Sequence, residues 1–370
     1  MNEPQPIHPR PVLDQLPAYA AGKPAARVEG LVSYKLSSNE NPYGPVPAVR
    51  EAMKAFADVA RYPDPLSTAL RERLSEHLGV PAQDIVTGAG SLGALTQIIT
   101  TFAGTNPDGT QDEVVYAWRS FEAYPIVVRS GGAKDVQVPL TADFRHDLTA
   151  MAAAITERTR VVILCTPNNP TGPALTTEEV EEFLTQVPPH VLVVIDEAYT
   201  EFVRQPDAVN GIDVYRRHDN VVVLRTFSKA HGLANLRVGY SVSHPHITQY
   251  LRVLAVPFAV SSLAEQAAVA SLDHLDEVEE RVARVVAERE RVLTGLKELG
   301  WDVPDTQANL VWLPLGERTP EFLEAAARQA LAVRGFGTEG VRVSVGEEEA
   351  NTRFLQLCAD FPASPTQSIT

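Results

Sequence analysis

Cysteine is nearly absent from this chain of 370 residues. The two present, Cys165 and Cys358, fit no metal-ligand spacing, which excludes a thiolate metal centre and makes a reduced cytoplasm the expected setting. Positive charge is also scarce: 32 Lys and Arg stand against 47 Asp and Glu, a net charge of −15. That balance argues against a nucleic-acid surface or an anionic membrane as partner. It leaves small anionic substrates open, because a few local arginines override the mean field inside a cleft. No apolar run is long enough to span a membrane. The stretch from Met1 to Pro11 is proline-rich and lacks the apolar core of a signal peptide. Internal repeats and low-complexity tracts are missing as well.

What is present is globular: 44% hydrophobic and 21% charged residues, enough chain for one large domain and a smaller one. Strand–helix alternation from about 84 to 240 predicts an α/β fold with a mostly parallel central sheet and helices on both faces. A long charged helix, about Asp273 to Gly300, follows and should link the domains. From Trp301 onward, short strands and a helix over 320–331 predict a smaller α/β C-terminal domain. The expected division is 1–44 as N-terminal arm and part of the small domain, 45–265 as the large domain and 266–370 as the small one. In the arm, Pro4, Pro6, Pro9, Pro11, Pro17 and Pro24 allow only a short helix, and the last residues of the chain should fray. Further helices are expected from Pro47 to Asp58, Leu148 to Thr156 and Thr177 to Gln186, with a chain boundary at Asn41-Pro42.

Chemistry-bearing residues follow the apolar strands. Val221 to Leu224 leads to Lys229, flanked by the hydroxyls of Thr226 and Ser228, with Arg237 beyond. A strand-end lysine offers an amine to a carbonyl compound, and its neighbours offer donors for one phosphate. Val191 to Ile195 ends in Asp196, a carboxylate too costly to bury without a cation or ligand unless it caps a helix. Val161 to Leu164 delivers Asn169-Pro170-Thr171-Gly172, a turn whose backbone is fixed by proline and glycine with Asn169 aimed inward. Gly88-x-Gly90-x-x-Gly93 matches a dinucleotide fingerprint and raises an NAD-linked oxidoreductase as the rival class. Helical and strand-like segments precede it, and Asp108, Asp112 and Glu113 lie before the next strand rather than at its end, so that reading is rejected. What survives is a helix N-terminus that holds a phosphate.

The motifs Asn169-Pro170-Thr171-Gly172, Asp196-Glu197-Ala198-Tyr199, Ser228-Lys229 and Arg237 resemble, in order and interval, those of fold-type I pyridoxal-phosphate-dependent aminotransferases, within them the histidinol-phosphate aminotransferase-like group. The resemblance runs from about Lys35 to Leu357. Where histidinol-phosphate enzymes carry a Pro-Thr-Tyr-Gly-like segment, this chain has Trp118-Arg119-Ser120-Phe121, which resembles the actinobacterial aromatic amino acid aminotransferases. The resemblance implies pyridoxal 5′-phosphate as cofactor. Lys229 would hold it and move a proton, Asp196 would pair with its ring nitrogen, and Asn169 and Tyr199 would bond its phenolic oxygen. Ala89, Gly90, Ser91, Thr226, Ser228 and Arg237 would hold its phosphate, helped by Tyr62 from a second subunit of a homodimer. Phe121 would stack on its ring. For substrate, Arg342 matches the arginine that grips the α-carboxylate, on an alternating strand, Val341 to Gly346, whose apolar neighbours face the other way. Arg334, Asn309, Asn41 and Trp118 are further candidates. Tyr62 and Phe121 also read as packed aromatics.

The reaction implied is transamination between an aromatic amino acid and 2-oxoglutarate, in the cytoplasm. Histidinol phosphate is the alternative donor, since Arg334 suits either a phosphate or a distal carboxylate. A decarboxylase on the same fold also remains open. A regulator that binds the same cofactor is disfavoured, because the acidic chain leaves no room for a DNA-binding module. His231 is assigned no role.

Overall fold

The computed structural model describes residues 10–16, 22, 24–57 and 59–361. Twelve strands are found among them. β1 (Tyr34–Lys35), β2 (Ile85–Ala89), β3 (Glu113–Trp118), β4 (Lys134–Pro139), β5 (Thr159–Cys165) and β6 (Leu192–Asp196) come first. β7 (Val221–Thr226), β8 (Val238–Val242), β9 (Leu310–Leu313), β10 (Leu331–Ala332), β11 (Arg334–Phe336) and β12 (Gly340–Ser344) follow. A seven-stranded sheet has the order β2-β8-β7-β6-β5-β3-β4. Only β8 runs antiparallel to its neighbours; the other pairs are parallel.

The unbroken apolar runs of β5, β6 and β7 arise because both faces of this sheet are covered. Val162, Leu164, Val193, Ile195 and Val223 enter one core, while Val161, Ile163, Val194, Val222 and Leu224 enter the core on the opposite face. Each run stops where a polar residue reaches the C-terminal edge of the sheet. Asp196 and Thr226 are the last residues of β6 and β7, and Asp196 lies opposite Cys165, the last residue of β5.

A second sheet, β11-β12-β9, is antiparallel, and β1 pairs in parallel with β10, so the N-terminal segment joins the C-terminal elements. The helix Leu275–Glu298 serves two cores with one stripe. Val278, Val282 and Val285 pack with the large sheet, whereas Val292, Leu293 and Leu296 pack with Phe322, Val343 and Phe354. Arg289 on the same stripe is 1% exposed and donates from Nη1 to the carbonyl of Phe202 at 2.9 Å.

Sequence boundaries shift modestly. The helices expected over 47–58 and 148–156 run Pro47–Ala55 and Leu148–Ala153, and the described residues of the arm include a 3-10 turn, Pro11–Gln15. Most of the proline-rich start, Asp58 and the end expected to fray lie outside the described residues. β3 begins at Glu113, expected to lie before it, and runs to Trp118, which is therefore a strand residue.

Candidate active site

A cavity of about 270 Å³ opens at the C-terminal edge of the large sheet, where open α/β sheets place their ligands. Its wall includes Lys229, Asp196, Tyr199, Asn169, Ser91, Thr226, Ser228 and Arg237 from the segments singled out above. Phe121, Arg334 and Arg342 also line it.

Lys229 follows β7 by three residues, and its Nζ donates to the carbonyl of Ser38 at 2.9 Å. Burial, reinforced by the Arg342 charge, lowers its pKa to about 7, so the neutral amine is a substantial fraction near neutral pH. Asp196 is 5% exposed. Its Oδ2 accepts from the Tyr124 hydroxyl at 2.7 Å, while Oδ1 is buried without a hydrogen-bond partner. Burial pushes its pKa up to about 6, against the opposing pull of Tyr124. The carboxylate is thus half satisfied, and the missing half asks for a donor or a cation.

The helix Gly90–Phe102 begins directly at the end of β2 and presents Ser91 to the cavity. Gly90 has a φ of 73°, and a side chain there would stand 2.5 Å from Nη2 of Arg237. The arginine is therefore laid against the helix start, and helix dipole and guanidinium act on one spot. Across the opening, Ser228 donates its backbone N–H to Oγ1 of Thr226 at 3.1 Å.

On the substrate side, Arg342 Nη1 donates to Asn169 Oδ1 at 2.7 Å and Nη2 to the Ser37 carbonyl at 2.6 Å. Asn169 precedes Gly172, whose φ of 103° and approach to Thr306 leave no room for a side chain. The alternation expected around Arg342 holds: Val341 and Val343 enter the C-terminal core and Arg342 faces the cavity. Tyr199 accepts from Asn39 Nδ2 at 2.9 Å, and burial pushes its phenol pKa up. Phe121 packs edge-on against Tyr124, 5.6 Å between ring centres.

Several candidates stand elsewhere. Asn41 bonds the Ala230 carbonyl at 2.8 Å outside the cavity wall, and the asparagine of its segment that lines the wall is Asn39. Asn309 supports the wall from behind, donating to the Asn39 carbonyl at 3.1 Å. Trp118 is turned into the core and carries the Arg119 guanidinium 4.3 Å above its ring. Tyr62 is 82% exposed, stacked on Phe258 at 4.6 Å and away from the cavity of its own chain. Ala89 and Gly90 form the turn behind Ser91 without lining the cavity. Sequence reasoning missed Asn39, Glu122, Tyr124 and Phe336. A signal existed for Asn39, because its left-handed backbone, φ 54°, is one that asparagine tolerates.

A strand-end amine facing a half-satisfied carboxylate, beside an anion-binding helix start, defines an enzyme site for cofactor-assisted chemistry on amines and carbonyls. A family model for aminotransferases of class I and II matches residues 33–357, and the chain belongs to that family, whose members use pyridoxal phosphate. It is 52% identical over 353 residues to the aromatic amino acid aminotransferase of Streptomyces avermitilis, covering 95% of this chain and 97% of that one. The Thermobifida fusca protein of the same name is 49% identical over 363 residues, covering 98% and 99%. Among solved structures, the histidinol-phosphate aminotransferase of Sinorhizobium meliloti in complex with pyridoxal-5′-phosphate superposes with a TM-score of 0.82 at 27% identity, covering 95% and 96%.

Proposed function

We propose that this enzyme binds pyridoxal phosphate and transfers the amino group of an aromatic L-amino acid to 2-oxoglutarate, giving the aromatic 2-oxo acid and L-glutamate. The observation that carries the cofactor reading is that the Lys229 side chain and Asp196, with its unpartnered Oδ1, line one cavity. When bound, the cofactor supplies an electron sink next to the substrate amine. Asp196 would hold a proton on the ring nitrogen through Oδ1, with the Tyr124 hydroxyl bonded to its other oxygen. Ser91, Thr226, Ser228 and Arg237 would hold the phosphate, and Tyr199, steadied by Asn39, would donate to the phenolic oxygen with Asn169 beside it. Phe121 presents an apolar face to the ring. Lys229 anchors the cofactor through Nζ. With the cofactor and substrate bound, its Nζ would take the proton from the substrate Cα, for which a pKa of about 7 suits it. Arg342 grips the α-carboxylate with its fork.

The aromatic preference rests on the names of the curated relatives and on Phe121 and Phe336 in the cavity wall. A ring stacked on such a wall gains about 0.5–1.5 kcal/mol beyond its area burial. We read residues 45–265 as the cofactor-binding domain and 266–370, with residues 1–44, as the smaller one, and we place the enzyme in the cytoplasm. We also read it as a homodimer in which Tyr62 reaches the partner's phosphate site. Val59, Tyr62, Tyr250, Val253 and Val256 are all more than half exposed, apolar surface that an interface would cover. Comparing kcat/KM for phenylalanine, tyrosine and histidinol phosphate with 2-oxoglutarate on one preparation tests the substrate. A preference of about tenfold or more for histidinol phosphate, about 1.4 kcal/mol in transition-state binding, would assign the enzyme to histidinol-phosphate chemistry instead.

A further inference from the structure

The cavity holds two arginines that the fold places directly opposite each other. Arg334 on β11 is registered with Arg342 on β12, so both leave the same face of an antiparallel pair. Phe336 lies between them, its ring centre 5.7 Å from each guanidinium carbon. Like charges so opposed repel unless each is compensated. Arg342 is held by two neutral oxygens, those of Ser37 and Asn169. Arg334 is compensated differently. Its Nε and Nη2 both donate to one oxygen of Glu122, at 3.2 and 2.7 Å. The Arg334 side chain is 13% exposed and that of Glu122 is 29% exposed, and both line the cavity.

Resting on the transamination reading above, we propose that Glu122 is a specificity-determining residue, a built-in competitor for the distal carboxylate of the dicarboxylate substrate. Two substrates use one cavity in turn, one ending in a carboxylate and the other in an apolar ring. A bare guanidinium would suit the first and penalise the second, since a ring set against it displaces water from an unpaired charge. The Glu122–Arg334 pair is neutral, and its neighbour Phe336 is apolar, so an aromatic side chain meets a compensated wall. A dicarboxylate has to displace Glu122, whose partly exposed carboxylate can turn to water, and then takes over the fork of Arg334. Glu122 therefore weakens dicarboxylate binding and spares the aromatic ring a bare charge, which narrows the gap between the two.

The test is an equilibrium titration of the protein saturated with pyridoxal phosphate, using two unreactive probes, glutarate and 3-phenylpropionate. E122Q keeps the shape and removes the competing charge. It should tighten glutarate about tenfold and should not tighten 3-phenylpropionate. R334Q should weaken glutarate, and in the E122Q/R334Q protein the gain from E122Q should vanish, as a shared interaction requires. Glutarate binding that is unchanged or weaker in E122Q, an equal change for both probes, or a gain that survives loss of Arg334 each overturns the proposal. If E122Q does not fold, E122D, whose shorter arm loosens the pair, carries the same expected direction and the same refutation. Because no turnover is read, failure of phenylalanine as a substrate would count against the aromatic reading without deciding the role of Glu122.

Discussion

Replacing Asp196 by asparagine should make the cofactor-free protein more stable at alkaline pH, although it removes the residue that the site is built around. An aspartate in an unfolded chain titrates at about 3.9, whereas burial holds Asp196 at about 6. A carboxyl whose folded pKa lies above its unfolded value binds its proton more tightly in the folded chain. Its contribution to stability is therefore fully present below about pH 4 and is lost as pH rises through about 6. Two pKa units correspond to about 3 kcal/mol of cost once the group is ionised. Burial of the charged carboxylate is the physical origin of that cost, which the Tyr124 hydroxyl offsets only in part. An asparagine carries no charge to desolvate, though its buried amide would forfeit about 1 kcal/mol for a donor left unmatched. Urea unfolding of cofactor-free protein should place D196N about 1–2 kcal/mol above wild type at pH 8, with the gap shrinking toward pH 4. Saturating pyridoxal phosphate should reverse the order, because only the aspartate gains a charged partner. A D196N protein less stable than wild type at pH 8, or a gap that ignores pH, would refute the account of Asp196 as an uncompensated buried charge.

Lys229→Ala should abolish turnover while the phosphate contacts retain some cofactor, and the visible absorption band of the lysine-linked cofactor should be missing; full activity in this variant would sink the functional reading. In wild type, the rate at which that band appears after mixing with pyridoxal phosphate should rise with pH through about 7, because only the free amine attacks and burial depresses the Lys229 pKa. For the dimer, mixing Tyr62→Phe with Lys229→Ala subunits should restore activity, since one site of each hybrid is then wild type. A monomer by sedimentation at working concentration removes that idea.

The cofactor side of the site was legible because it depends on local rules. The runs 161–164, 191–195 and 221–224 are β-branched and apolar on both faces, which only a central strand of a covered sheet requires. Their C-terminal ends then carry Asn169, Asp196 and Lys229 to one edge of that sheet. The substrate side obeys no such rule. Arg342 bonds Ser37 across 305 positions and Asn169 across 173, Asn309 bonds Asn39 across 270, and Arg334 bonds Glu122 across 212. Each pair joins segments that come together only after the large sheet, the N-terminal segment and the C-terminal sheet have packed. Within Ser38-Asn39-Glu40-Asn41 both asparagines suit a turn, and a left-handed residue at 39 decides which of them lines the cavity. Glu122 follows an aromatic in a polar loop and reads locally as a solvated acid; only the register of β11 against β12 brings an arginine to it. Cofactor chemistry is thus written in strand ends. Substrate choice is written in polar contacts between distant segments, so variants that alter specificity should cluster at 37–39, 119–122 and 334–342 rather than beside Lys229.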